Sequence, residues 1–120
     1  MNKAVTIRNS GNATILEVHG RITMGGSIPS TQDRVRSVLA QGHKNIILDL
    51  AGVTYMDSSG LGELVGSYAT VVSQGAEIRL LNLHPKVYNL LQITKLYTVF
   101  SIYTDEESAI QSFEPAGVRQ

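Results

Sequence analysis

The spacing of apolar residues predicts a strand hairpin followed by alternating helices and strands. Residues 5–8 and 14–19 are rich in β-forming side chains, and residues 9–12 between them are strong turn formers. The nearly continuous apolar run at residues 45–50 is typical of a strand covered on both faces. We expect this strand to end in a glycine-containing turn.

Apolar residues that recur every three or four positions predict helices on either side of this strand. The first helix has Pro29 and Ser30 at its front and Gly42 just beyond its end. Its apolar positions are Ile28, Val35, Val38 and Leu39. The second helix ends near Gly75 and is expected to turn one face to the core. That face consists of Leu61, Leu64, Val65, Tyr68 and Val72.

The last third of the chain repeats the strand–helix alternation. Residues 77–81 and 100–103 read as strands, and Pro85 suits the first turn of a third helix between them. Val87, Leu90 and Leu91 of this helix should face inward. Thr104 and Glu107 have the spacing of a capping box for a fourth helix, which carries Ala109, Ile110 and Phe113.

Together these elements predict an α/β domain with a small mixed β-sheet and about four helices packed on it. The length of 120 residues fits a single domain, which we assign to residues 1–113. Residues 114–120 are predicted to be a flexible C-terminal tail.

Composition narrows the classes of function. Ten basic residues balance ten acidic ones without clustering, so the chain lacks a nucleic-acid footprint. There are no cysteines, which excludes disulfides and thiolate sites. The N-terminal residues carry no apolar signal core, and no apolar run approaches the ~20 residues that cross a bilayer. We therefore expect a cytoplasmic protein without membrane insertion.

The segment Asp57-Ser58-Ser59-Gly60-Leu61-Gly62 sits between the central strand and the second helix. Asp and Ser are preferred residues at a helix N-terminus, so the segment could be a plain cap. The same place offers free N–H groups and the positive end of the helix dipole, which favour an anion. A phosphoryl group on one of the serines would meet a prepared electrostatic site.

Sequence patterns for enzymatic chemistry are absent. His19, His43 and His84 lack the spacing of a zinc motif, and the flanks of Ser58 do not form a nucleophile elbow. Val65 occupies the place of the third glycine of a dinucleotide-binding fingerprint. The sequence thus predicts no catalytic residue, metal or cofactor, and a protein that is not an enzyme.

With this motif near the middle of a short domain, the chain resembles the STAS domains, the anti-sigma-factor antagonist family of bacteria. The resemblance extends over about residues 5–113. It implies a domain that, when unphosphorylated, binds an anti-sigma factor that is also a serine kinase, and so releases the sigma factor. It also implies that the kinase phosphorylates Ser58, and that a phosphoserine phosphatase resets the switch.

The resemblance assigns supporting roles to neighbouring residues. Asp57 would fix the turn as a cap or orient the Ser58 hydroxyl, and Ser59 would be an early helix residue. Gly60 would permit a tight helix start or close approach of the partner, and Leu61 is favoured as a core residue over an interface residue. Met24 and Met56 are either buried filler or an adaptable contact surface beside the switch.

One position departs from the family pattern. Many members carry Asp in the loop after the second strand, where this chain has Thr23. A hydroxyl does not repel a phosphate as a carboxylate would. The alternative function is that of a scaffold or adaptor, in a stress-signalling assembly or a lipid-transport complex. For the antagonist we expect a monomer or a weak dimer, and for the scaffold a large assembly.

Overall fold

A five-stranded sheet, with its strands in sequence order, forms the centre of the molecule. The structure is a computed structural model that describes residues 5–22 and 31–113. The first two strands are antiparallel, and the remaining neighbours are parallel, which confirms the predicted mixed sheet. The strands are β1 (Val5–Ser10), β2 (Ala13–Ile22), β3 (Asn45–Met56), β4 (Glu77–Leu81) and β5 (Ile102–Tyr103).

The described segments contain four α-helices and one short 3-10 helix. Pro85 is the first helical residue of its helix, as predicted. Gly42 and Gly75 follow the first and second helices with φ of 96° and 72°, which glycine adopts without strain. Residues 28–30 lie outside the described ranges. The elements are α1 (Thr31–Ala40), α2 (Ser58–Ser73), α3 (Pro85–Thr94), the 3-10 helix (Leu96–Thr98) and α4 (Glu106–Gln111).

The turn predicted after residue 50 is wrong, because β3 continues through it to Met56. Two register shifts against β2 give β3 extra residues at this point. The Asp49 carboxylate accepts a hydrogen bond of 3.0 Å from the N–H of Ala51 within the first shift. A side chain at Gly52 would lie 2.7 Å from Nδ1 of His19, so the close approach of the two strands requires glycine here.

Both faces of the sheet are covered. The larger core lies between the sheet and α1, α2 and α3, and it includes Leu48 and Leu50 of β3. The smaller core lies on the opposite face and joins Ile47 to Ala109 of α4 and to Phe113, which follows that helix. The apolar run in β3 is therefore buried on both faces, as predicted.

The buried face of α2 differs in part from the predicted face. Leu64 is fully buried as expected, but Val65 and Val72 are 42% and 52% exposed. Ser67 and Val71 take their places in the core. The helix is therefore rotated relative to the apolar stripe that was read from the sequence, so that Ser67 and Val71 rather than Val65 and Val72 face the core.

The fourth helix is capped differently from the prediction. The Asp105 carboxylate, rather than Thr104 and Glu107, accepts the capping hydrogen bond, which is 2.9 Å long and comes from the N–H of Ser108. This bond lowers the pKa of Asp105 below its ordinary value. The strand before it is also shorter than predicted, since β5 has only two residues.

Two arginines tie α4 to the sheet. Arg8 of β1 donates two hydrogen bonds to the Glu106 carboxylate, at 2.6 and 3.1 Å, and a third to Glu17 at 2.7 Å. Arg79 of β4 donates to the Ser112 hydroxyl at 2.8 Å and lies 4.4 Å from the centre of the Phe113 ring. These contacts hold the helix against the smaller core.

The difference in burial between Leu64 and Val65 gives a matched test. Leu64→Ala should lower the free energy of unfolding by about 2–5 kcal/mol, because it leaves a cavity at a fully buried site. Val65→Ala, one position along, should change it by less than about 0.5 kcal/mol. Urea melts of both variants measure the difference. Equal losses at the two positions would mean that the orientation of α2 is wrong.

The Arg8–Glu106 pair predicts a loss of stability in acid. Hydrogen bonds from Arg8 hold the pKa of Glu106 below its ordinary value of 4.5 in the folded chain. The stabilisation is therefore complete above that value and is lost as the pH falls through the lower folded pKa. Glu106→Gln should lower the urea midpoint at about pH 6 and reduce its further fall towards about pH 3. Glu107→Gln, at an exposed position of α4, is the control and should retain the wild-type response.

Candidate functional site

The candidate site lies where β3 passes directly into α2. One residue, Asp57, separates the end of the strand from the first helical residue, Ser58. The Met56 side chain is 7% exposed and belongs to the larger core, so it anchors the end of β3 in that core. Carboxyl ends of parallel strands are a common place for binding sites, because the loops and helix N-termini there are exposed.

Asp57 caps α2 with ordinary N-cap geometry. Its backbone is extended, with φ of −106° and ψ of −169°, and its Oδ1 accepts a 3.0 Å hydrogen bond from the N–H of Gly60. The first helical hydrogen bond, also 3.0 Å, runs from the N–H of Leu61 to the Asp57 carbonyl. The N–H groups of Ser58 and Ser59 precede this bond and lie at the positive end of the helix.

The two serines of the motif differ in exposure. Ser58 is exposed, whereas Ser59 is half-buried. The side chain of the first residue of a helix projects outward beside the free N–H groups, so the Ser58 hydroxyl is open to a partner protein.

Three residues proposed to support the switch lie inside the fold. Gly60 is buried in the first turn of α2. Leu61 is partly buried and packs against the larger core, as favoured from the sequence. Met56 is buried in the larger core. Thr23 and Met24 lie outside the described residues.

A contact that the sequence did not reveal joins the site to α1. The N–H of Gln32, in the first turn of α1, donates a 3.1 Å hydrogen bond to Oε1 of Glu63. A side chain at Gly66 would lie 2.5 Å from the Gln32 amide, so the two helices approach closely there. Glu63 is the one charged residue of α2. A single charge on an otherwise uncharged helix is the feature of the sequence that could have indicated a specific role for Glu63.

The charge distribution around the motif is uneven. No Lys or Arg occurs in the sequence between Lys44 and Arg79, whereas Asp57 and Glu63 flank the serines. A phosphate on Ser58 would therefore find no basic partner within β3 or α2. Its stabilisation there would come from backbone N–H groups and the helix dipole.

Among residues 5–22 and 31–113, no three His, Asp or Glu side chains are grouped so that they could hold a metal ion. The helices within these ranges are too short or too polar to cross a bilayer.

The chain matches a known family. A model of the STAS domain matches residues 4–109, and the chain belongs to that family. The anti-sigma-B factor antagonist of Bacillus subtilis is 31% identical over 111 residues, which are 92% of this chain and 100% of the relative. The anti-sigma F factor antagonist of Paenibacillus polymyxa is 25% identical over 114 residues, which are 95% and 97% of the two chains.

Solved structures agree with this assignment at the level of the fold. An anti-sigma factor antagonist from Mycobacterium paratuberculosis superposes with a TM-score of 0.78 at 19% identity, over 90% of this chain and 91% of the other. The mixed sheet with four helices is thus the STAS fold.

The cap can be tested apart from any switching. Asp57→Ala removes the acceptor for the Gly60 N–H and should lower the free energy of unfolding by about 0.5–2 kcal/mol. Asp57→Asn keeps an equally good capping oxygen and should lose less than about 0.5 kcal/mol. Urea melts compare the two, and amide hydrogen exchange at Gly60 reports on the bond itself. If both substitutions cost the same, the capping bond is not what stabilises this end of α2.

Proposed function

We propose that this chain is an anti-sigma factor antagonist that works as a phosphorylatable binding switch in the cytoplasm. The unphosphorylated form binds an anti-sigma factor and thereby releases the sigma factor. The anti-sigma factor is also a serine kinase and transfers the phosphoryl group of ATP to the Ser58 hydroxyl. A phosphoserine phosphatase restores the binding form. The chain is then a substrate and a binding module, not an enzyme.

The observation that carries the proposal is an exposed serine at the first position of a capped helix, in a STAS domain. The matches to two proteins named anti-sigma factor antagonists extend over nearly the whole chain, and they support an anti-sigma factor as the partner. The exposure of Ser58 supports its role as acceptor, because a kinase must reach the hydroxyl. The buried positions of Met56 and Gly60 support a rigid base under that serine.

Electrostatics explain how one phosphate can control binding. Phosphorylation adds a charge of about −1.5 to −2 at pH 7. The helix N-terminus of α2 tolerates this charge in the free protein, because its N–H groups and dipole are oriented towards it. In a complex the same charge must lose water without gaining a basic neighbour from β3 or α2. A 100-fold loss of affinity corresponds to about 2.7 kcal/mol, which such desolvation can supply.

The acceptor assignment predicts distinct results for the two serines. We expect the host's serine kinase and ATP to phosphorylate the wild type and Ser59→Ala, and to leave Ser58→Ala unmodified. Phosphorylation should weaken binding to the kinase partner by about 100-fold, measured by calorimetry. Ser58→Glu should reproduce only part of this effect, because it carries less charge.

Two results would contradict the proposal. Phosphate uptake by Ser58→Ala equal to that of the wild type would exclude Ser58 as the main acceptor. Equal affinities of the phosphorylated and unmodified protein would remove the switch. Sedimentation of the purified protein separates the alternative function, since a scaffold would form a large assembly and an antagonist would not.

A further inference from the structure

The two edges of the sheet differ in length. The strand order places β1 at one edge and β5 at the other. β5 has only two residues, whereas β1 has six. A long edge strand presents a row of N–H and C=O groups that can pair with a strand of another molecule. Among the residues that the structure describes, no strand pairs with the outer side of β1, so this edge is open to such pairing.

The hairpin fixes which backbone groups of β1 point outward. Residues 11–12 form a two-residue turn, and Ser10 lies opposite Ala13 across it. The residues that flank such a turn form a hydrogen-bonded pair, and bonded and non-bonded pairs alternate from there along the strands. Every second residue back from Ser10 therefore bonds to β2, and the residues between them direct both backbone groups away from it. These outward residues are Val5, Ile7 and Asn9.

β1 lacks the features that usually keep edge strands apart, which are Lys, Pro and β-bulges. It contains no Lys or Pro, and it pairs with β2 residue for residue without a bulge. Its one charged residue, Arg8, is already hydrogen-bonded to Glu17 and Glu106. Ile7, at the middle of the outward groups, is 40% exposed. The edge is thus apolar at its centre and carries no unpaired charge.

We propose that two copies of this chain pair through β1, antiparallel, about a two-fold axis at Ile7. The pairing joins the two five-stranded sheets into one continuous sheet. Val5 of one copy then lies opposite the partner's Asn9, and the outward groups form about six backbone hydrogen bonds. Each Ile7 lies beside Leu16 on the face of the larger core, so the two isoleucines cover each other on that face.

Charge selects both the second copy and this register. With Ile7 on the axis, Arg8 lies opposite the partner's Thr6, and no like charges meet. Centring the pair on Arg8 instead would place two guanidinium groups opposite each other, which is unfavourable. Because Arg8 keeps its bonds to Glu17 and Glu106, the pairing leaves no new charge to be neutralised. The edge is therefore complementary to itself, as a two-fold interface requires.

The pairing leaves the candidate site free. Ser58 follows β3, which is the third strand from this edge and lies about 10 Å from β1. An antiparallel two-fold reverses the strand direction, so the two Ser58 hydroxyls lie at opposite ends of the joined sheet. The dimer does not rest on the proposed function, and it presents two separate sites whether or not they are phosphorylated.

Sedimentation of the full chain over about two decades of concentration tests the interface. The wild type should show a reversible monomer–dimer equilibrium. Ile7→Lys should raise the dissociation constant of the dimer at least about 10-fold, because two ammonium groups would lie opposite each other. Ile93→Lys is the matched control, since Ile93 is 77% exposed on α3, away from the edge, and this variant should dimerise like the wild type. Urea melts of both variants check that they fold.

A cysteine scan tests the register, because the chain has no cysteine of its own. In Ile7→Cys the two Cα atoms should lie about 5.5 Å apart, within the range of a disulfide. Oxidation, or a short bismaleimide linker, should therefore give a covalent dimer. In Asn9→Cys the two thiols lie on strand positions about 14 Å apart and should not join as a disulfide. Ile93→Cys reports the rate of random collision.

Several outcomes would overturn the dimer. A wild type that stays monomeric at every concentration would do so, as would equal dissociation constants for Ile7→Lys and the wild type. Disulfide formation by Asn9→Cys as fast as by Ile7→Cys would exclude this register. If the wild type is monomeric and Ile7→Lys instead weakens binding to an anti-sigma factor, the edge serves that partner. A failed kinase assay would leave the dimer standing, and a monomer would leave the switch standing.

Discussion

The burial of β3 on both faces is the constraint on which the rest of the structure depends. A central strand with helices on each side has to be apolar at nearly every position, and Ile46, Ile47 and Leu48 are fully buried. Its parallel pairing with β2 and β4 requires long connections between strands, and the helices form within these connections. The helices of these connections, α1 and α2, cover the larger core, whereas α4, which follows β5, covers the smaller core.

The same strand determines where the site is. By continuing through its register shifts to Met56, β3 anchors the start of α2 in the larger core and leaves one residue, Asp57, for the cap. The exposed Ser58 therefore sits on a base that cannot shift without disturbing the core. A modification at such a place changes the surface offered to a partner, while the packing beneath it has no reason to change.

The charged contacts that stabilise this fold lie apart from the candidate site at Ser58. The ion pairs of Arg8 and the contacts of Arg79 secure α4 on the face of the smaller core. Around Ser58 the helix is held instead by apolar burial, the capping bond at Asp57 and the hydrogen bond between Gln32 and Glu63, and basic residues are missing from the whole segment between Lys44 and Arg79. A phosphate on Ser58 would thus find no basic residue within β3 or α2.

The order of strands and helices was determined by the sequence itself, because periodicity, turn residues and Pro85 are local signals. So was the likeness of the Asp57–Gly62 segment to a regulatory motif, and the cap at Asp57 followed from residue type alone.

The tertiary structure decided what depends on neighbours in space. The turn expected near Gly52 became a strand, because pairing with β2 satisfied the backbone there. Which of Val65, Ser67 and Val71 entered the core depended on how α2 rotated against the sheet.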